Sequence, residues 1–176
     1  MKKGKEMDDI VKDYELQNFF LEHTANLYDA EKKFMKCFVA LSISAYADEL
    51  RTALNTPSTE AETHISRLEQ ILTTVGNGTQ SGECEVVTAL IEKSNNLIKN
   101  NEPGTPIRDA AIIFAAQLIQ HYKIASYSVL QPIAVELGLE QASMLLEQCL
   151  TDEKNTAAYL TQIAQNITNP AARGRD

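Results

Sequence analysis

The chain has 176 residues, 44% of them hydrophobic, a formal net charge of −8 and a pI near 4.9. That length supports one well-buried domain and is short for two. The acidic balance disfavours nucleic acid or an anionic membrane as the main partner, because neutralising phosphates requires a basic face.

Seven Gly, five Pro and no Trp leave few turn signals, so long elements are expected. No run of about eighteen apolar residues is present to span a membrane. Met1 to Asp9 is charged and lacks the apolar centre of a secretory signal. Cys37, Cys84 and Cys149 are scattered, odd in number and without CxxC spacing. That usage fits a reducing compartment, so the cytoplasm is expected, with Cys37 and Cys149 serving as small core residues.

The first helical pattern runs from Tyr14 to about Ala47, with no Pro or Gly inside it. Phe20, Leu27, Phe34, Phe38 and Leu41 form its seam at spacings of seven, four and three. Glu31 sits on that seam, mid-helix. A second pattern covers Asp48 to Val75 and stops at Gly76-Asn77-Gly78. Pro57 falls inside it, so either a kink or a break after Asn55 is expected. Past Pro57 the seam reads His64, Leu68, Ile71 and Val75, with Glu60 one turn before His64.

Cys84 to about Asn100 predicts a shorter helix, closed by Asn101-Glu102-Pro103-Gly104 and read as a crossover segment. Pro106 then opens a third long helix, since Pro is well placed in a first turn. Pro132 predicts a kink before Gly138 ends that helix. Its stripe of Ile113, Ala116, Tyr127, Leu130 and Ala134 passes through Gln120 and Lys123. The last long helix is expected from Glu140 to Ile167, with Ala142, Leu146, Cys149, Glu153, Thr156, Leu160 and Ile163 on its seam. Asn169-Pro170 is expected to end it. Residues 14–168 therefore read as one domain, with 1–13 and 169–176 as loose ends.

Four long helices thus each carry an apolar seam broken once, near the middle, by polar residues. The breaks are Glu31; Glu60 with His64; Gln120 with Lys123; and Glu153 with Thr156. Alternating apolar runs are absent, so an all-α four-helix bundle with one long crossover is expected. In such a bundle the four breaks meet at one level of the core. Carboxylates and imidazoles converging inside a bundle are how such folds hold two metal ions, with about four carboxylate charges balancing two divalent ions. Here the seams supply three, Glu31, Glu60 and Glu153, against the positive charge of Lys123. An ammonium aimed at that centre pairs with the carboxylates and repels a metal. Removing one member of such a cluster leaves uncompensated buried charge.

Several segments carry a family resemblance: Leu27 to Lys33, Arg67 to Gln70, Cys84 to Glu92, Arg108 to Ile112, His121 to Tyr127, and Asp152 to Lys154. In this order they resemble the YciF/YciE-like stress-protein family over roughly residues 15 to 167. The resemblance implies a ferritin-like bundle, often dimeric, in bacterial proteins linked to stress responses whose biochemical activity is poorly defined. It implies Glu-His-Tyr-Glu where this sequence has Gln120-His121-Tyr122-Lys123, so both acidic positions differ and one is reversed in charge. Glu31 and Glu153 match family carboxylates. Glu60 and His64 match the second-helix positions, with Pro57 disturbing the local register.

Two readings follow. In the first, the chain is a non-enzymatic ferritin-like bundle without a cofactor that acts through association with itself, as a homodimer, or with partners. Its former metal site has become an ion-pair network of Lys123, Gln120, Glu31, Glu60 and Glu153. In the second, Glu31, Glu60, His64 and Glu153 bind iron or manganese in an oxidase or peroxide-handling protein. His23 and His121 are expected at the surface or a helix boundary, and Tyr122 and Tyr127 as packing residues. No nucleophile motif, phosphate loop or nucleotide fingerprint appears. The dimer interface is expected on the kinked second helix or the short crossover helix.

Overall fold

The computed structural model describes residues 2–76 and 84–174, with side chains from Tyr14 onward. Asn77 and Gly78, expected in the turn that ends the second helix, lie outside the described residues. The elements are α1 (Lys2–Ser44), α2 (Asp48–Val75), α3 (Glu85–Asn100), α4 (Pro106–Glu136), α5 (Glu140–Ile163), a π-helical turn (Ala164–Thr168) and α6 (Asn169–Ala172). Among the described residues there is no strand. The protein is an all-α helical bundle.

The four long helices close on one another: α1 packs on α2, α2 on α5, α5 on α4, and α4 on α1. Short connections make α1–α2 and α4–α5 antiparallel hairpins, while α3, in the long crossover, lies against α4 and α1. Phe20, Leu27, Phe34, Phe38 and Leu41 from α1 are all buried, as are Leu68 and Ile71 from α2. They meet Ile112, Ala116, Ile119 and Leu130 from α4, with Leu146 and Leu160 from α5. The seams read from the sequence are therefore the faces that form the core.

Some boundaries differ from the sequence reading. α1 begins at Lys2, so residues 2–13, expected to be loose, continue the helix. Their Lys, Glu and Met residues favour helix propagation, and Gly4 opposes it most strongly. α2 runs unbroken through Pro57, whose ring is buried in the bundle. Ahead of that proline the Asn55 carbonyl accepts from Thr59 Oγ1 at 3.2 Å, and Ser42 Oγ donates to Asn55 Oδ1 at 2.9 Å. At the other end, Asn169-Pro170 does not stop the chain's helical course. Pro170 falls at the first turn of α6, where its missing N–H costs nothing.

Two polar devices set the helix ends that matter for the core. The carboxylate of Asp109 accepts the backbone N–H groups of Tyr46 and Ala47 at 2.7 and 2.8 Å, fixing the α1–α2 turn to the start of α4. Gly138, at φ 68°, turns the chain out of α4, and Leu139 N–H donates to the Ala134 carbonyl at 2.8 Å.

Candidate functional site

The four seam breaks do meet. Lys123 and Gln120 come from one face of α4, Glu31 from α1, His64 from α2 and Glu153 from α5. All five are buried, with at most 1% of any residue exposed. Lys123 Nζ lies 3.0 Å from Glu31 Oε2 and 2.5 Å from Glu153 Oε1. Both oxygens pair with the ammonium. On the opposite side His64 Nδ1 lies 3.3 Å from Glu31 Oε1 and 3.0 Å from Glu153 Oε1. Gln120 Nε2 donates to Glu153 Oε2 at 2.7 Å. The other Gln120 amide atom, Oε1, is buried without a partner.

Electrostatically the centre is two carboxylates between two cations. Burial alone pushes a carboxylic acid upward, but Lys123, His64 and Tyr127 outweigh it at Glu31 and hold that acid below its ordinary value. Burial likewise opposes a charged imidazole, yet hydrogen bonds to Glu153 and Glu31 raise His64 to about 9. Lys123 follows the same pattern: burial lowers it, Glu31 and Glu153 prevail, and it is pushed up to about 12. With His64 protonated, Glu31, Glu153, Lys123 and His64 sum to zero, which is how a low-dielectric core tolerates four charges.

Glu60 stands apart. It is half-buried one turn before His64, accepts from Thr156 Oγ1 at 3.0 Å and makes no contact with Lys123. Burial, together with the nearby Glu153 charge, pushes its carboxyl pKa above the ordinary glutamate value. The ion-pair network expected around Lys123 therefore closes on Glu31, Glu153 and Gln120, with Glu60 at its margin and His64 added.

Three residues complete the cluster without having been singled out for it. Tyr127, one turn after Lys123, donates its hydroxyl to Glu31 Oε1 at 2.7 Å and is a working member rather than packing alone. Asp152 lies 3.2 Å from His64 Nε2, and Arg67 donates to the same Asp152 oxygen at 2.9 Å. Arg67 is three residues past His64 and Asp152 adjoins Glu153, so the i,i+3 spacing on α2 was the available signal. His23 and His121 are exposed, as expected. Cys37 and Cys149 are buried free thiols, and Cys84 is half-covered beside the Tyr122 hydroxyl at 3.6 Å.

Glu31, His64 and Glu153 each offer a ligand atom, all within 4.8 Å of one another, which is close enough for one metal ion. The donor set does not fit an added ion as it stands. The space facing both carboxylates is taken by Lys123 Nζ, and a divalent cation there would meet an ammonium within bonding distance of its own ligands.

Residues 15–173 match the family described as Domain of unknown function (DUF892). The chain belongs to that family. It is 32% identical to the protein YciF of Escherichia coli K12 over 161 residues, covering 91% of this chain and 96% of that one. The crystal structure of the E. coli stress protein YciF superposes with a TM-score of 0.82, covering 88% of this chain and 97% of the other. YcfI of Rhodopseudomonas palustris gives a TM-score of 0.80 at 26% identity, over 85% and 94% of the two chains. A protein of Xanthomonas campestris shares the fold at 15% identity, with a TM-score of 0.69 over 88% and 94%. The family resemblance read from the motifs is thus the family found.

Proposed function

We propose that this chain is a YciF-like bundle protein of the stress response whose core carries a lysine where a ferritin-like metal centre would carry a cation. It acts through association with itself and not through redox chemistry. The observation that supports this reading is the position of Lys123 Nζ, within 3.0 Å of both Glu31 and Glu153. The ammonium neutralises the carboxylates from inside the chain, with Gln120 and Tyr127 meeting two of the remaining oxygens. The stress assignment comes from the name of the E. coli relative.

Metal analysis of protein purified without chelator tests the proposal. Less than a tenth of an iron or manganese ion per chain is expected; one ion or more per chain would overturn it. The Glu31, His64 and Glu153 triad keeps a second reading in view, a metal-dependent oxidase or peroxide-handling protein. A double substitution connects the two. Gln120→Glu with Lys123→Glu gives the core four carboxylates and His64, the complement that balances two divalent ions. It should create manganese or iron binding that the native chain lacks.

A further inference from the structure

Of the three free thiols, Cys37 and Cys149 are sealed inside α1 and α5, while Cys84 is half-covered and stands immediately ahead of α3. The first N–H groups of a helix have no partner within it and attract negative charge. Burial would push the Cys84 thiol up. The N–H groups of Val87 and Val86, the Tyr122 hydroxyl and the Lys33 charge outweigh it and hold the thiol below its ordinary value. Burial raises the other two cysteines, Cys149 to about 12. Since the thiolate is the nucleophile, the reactive sulfur is that of Cys84.

That sulfur borders a cleft of about 390 Å³ between α1 and α4, a volume typical of small-molecule sites. Leu27 and Leu130 are its buried apolar lining, and the half-exposed Phe19 and Val129 belong to its rim. Asn26 lines it as well, and the Asn26 Oδ1 atom is covered without a hydrogen-bond partner. The last torsion of an asparagine is broad and soft, so a small turn presents either amide atom to the cleft. The Tyr122 hydroxyl stands 3.6 Å from Cys84 Sγ. Among the described residues, the trio of metal-type ligands close enough for one ion is Glu31, His64 and Glu153 in the core. The cleft is therefore built for an organic molecule, with a nucleophile, a phenol, an unsatisfied amide and apolar walls.

We propose that this cleft captures short apolar α,β-unsaturated carbonyl compounds as covalent adducts of Cys84. The thiol gives its proton to water and the sulfur attacks the β-carbon. A carbon–sulfur bond forms, the π pair of the C=C bond shifts towards the carbonyl, and the α-carbon takes a proton from water. Nothing leaves, and no oxidant or reductant is consumed. Tyr122, kept protonated because burial and its neighbour Cys84 push it up, donates to the carbonyl oxygen as negative charge gathers there. The apolar walls take the alkyl end, and the Asn26 amide oxygen accepts from a hydroxyl carried beside the double bond. Addition also suits the thiols present, since neither Cys37 nor Cys149 lines the cleft to resolve an oxidised sulfur. The cleft is separate from Lys123 and its carboxylates, so capture is independent of the association reading.

The test treats the full-length protein with hydroxyhexenal, which carries a hydroxyl beside its double bond, or with acrolein, which has neither hydroxyl nor alkyl end. Intact-mass spectrometry with peptide mapping follows the adducts, and each rate is divided by that of the same probe with N-acetylcysteine. One adduct per chain is expected, on Cys84, and Cys84→Ser should lose it. On that scale hydroxyhexenal should react about tenfold faster than acrolein, the worth of burying its ethyl end. Asn26→Leu and Val129→Lys should each shrink that ratio. Tyr122→Phe keeps the ring that packs edge-on against Phe34 and should slow both probes about tenfold, the worth of one hydrogen bond. Adducts spread over lysines, histidines or all three thiols overturn the proposal, as does a hydroxyhexenal rate no better than that of acrolein. Tyr122→Phe reacting at the native rate overturns the part given to the phenol.

Discussion

The two faces of α4 invert the usual rule in opposite directions. Inward, Gln120, Lys123 and Tyr127 place an amide, an ammonium and a hydroxyl in a dry core. Outward, Ile107, Phe114 and Val129 place large apolar groups in solvent. The difference is in the partners. Every buried charge on the inner face is answered within the chain, by Glu31 from α1 and Glu153 from α5. The apolar groups of the outer face have no such answer among the described residues of the same chain. Polarity inside is affordable when it is matched, and apolarity outside invites a match from elsewhere.

If that comparison is right, the largest effect comes from emptying the inner face of its charge. Lys123→Met should destabilise the fold by about 3–5 kcal/mol, because Glu31 and Glu153 are left buried and unneutralised. Urea denaturation followed by circular dichroism measures it. Adding Glu31→Gln and Glu153→Gln to the same variant should recover much of the loss, since the unpaired charge and not the missing lysine is the problem. A loss below about 1 kcal/mol for Lys123→Met would show that water already reaches the cluster and that the inner face is not a dry one.

Next in size is the response to pH. His64 is raised to about 9 in the folded protein from an ordinary 6.5, so protonation favours the fold. Its contribution is fully present below pH 6.5 and is lost as pH rises through about 9. At about 1.4 kcal/mol per factor of ten, the whole rise is worth about 3 kcal/mol. Glu31 has the opposite sign: held below its ordinary value, it contributes above that value and is lost as pH falls through its folded one. Thermal stability should therefore be highest between the ordinary glutamate and histidine values, at about pH 5–6, fall already through neutrality towards pH 9, and fall again in acid. His64→Gln should remove the alkaline decline and leave the acid one.

How much of this was readable beforehand divides along the same two faces. Glu31, Gln120, Lys123 and Glu153 were legible because each interrupts an apolar seam, and a seam fixes which residues face inward. His64 was legible for the same reason, although which group it would meet was not. Asp152 escaped because it is one residue off the α5 seam, where periodicity predicts a solvated acid. The proximity of His64 and Arg67 from α2 gives it a role. Tyr127 stood on the stripe, but an aromatic ring at helical spacing reads as packing, and its hydroxyl contact depends on distances across the bundle. Glu60 shows the converse, since the seam spacing placed it in the cluster and the three-dimensional path of α2 set it at the margin, beside Thr156. The outer stripe of α4 was hidden in plain view, because a helix apolar all round has no weak face against which to see a second seam.

The smaller effects locate the edge of the cluster. Tyr127→Phe removes one hydrogen bond to a buried carboxylate whose other partners remain, so about 1.5 kcal/mol is expected, again by urea denaturation. Arg67→Ala should cost less than about 1 kcal/mol, because Arg67 and Asp152 form a partly exposed pair with side chains 23% and 35% accessible. Its value lies in what should not change. His64 is held up by Glu153 and Glu31 and not chiefly by Asp152, so the alkaline loss of stability should still level off near pH 9 in Arg67→Ala. A loss whose upper limit moves with Arg67 would mean that the charge balance of the core extends through Asp152 to solvent. The inner face of α4 would then be open to the surface on the α2–α5 side, and the contrast with its uncovered outer face would be one of degree.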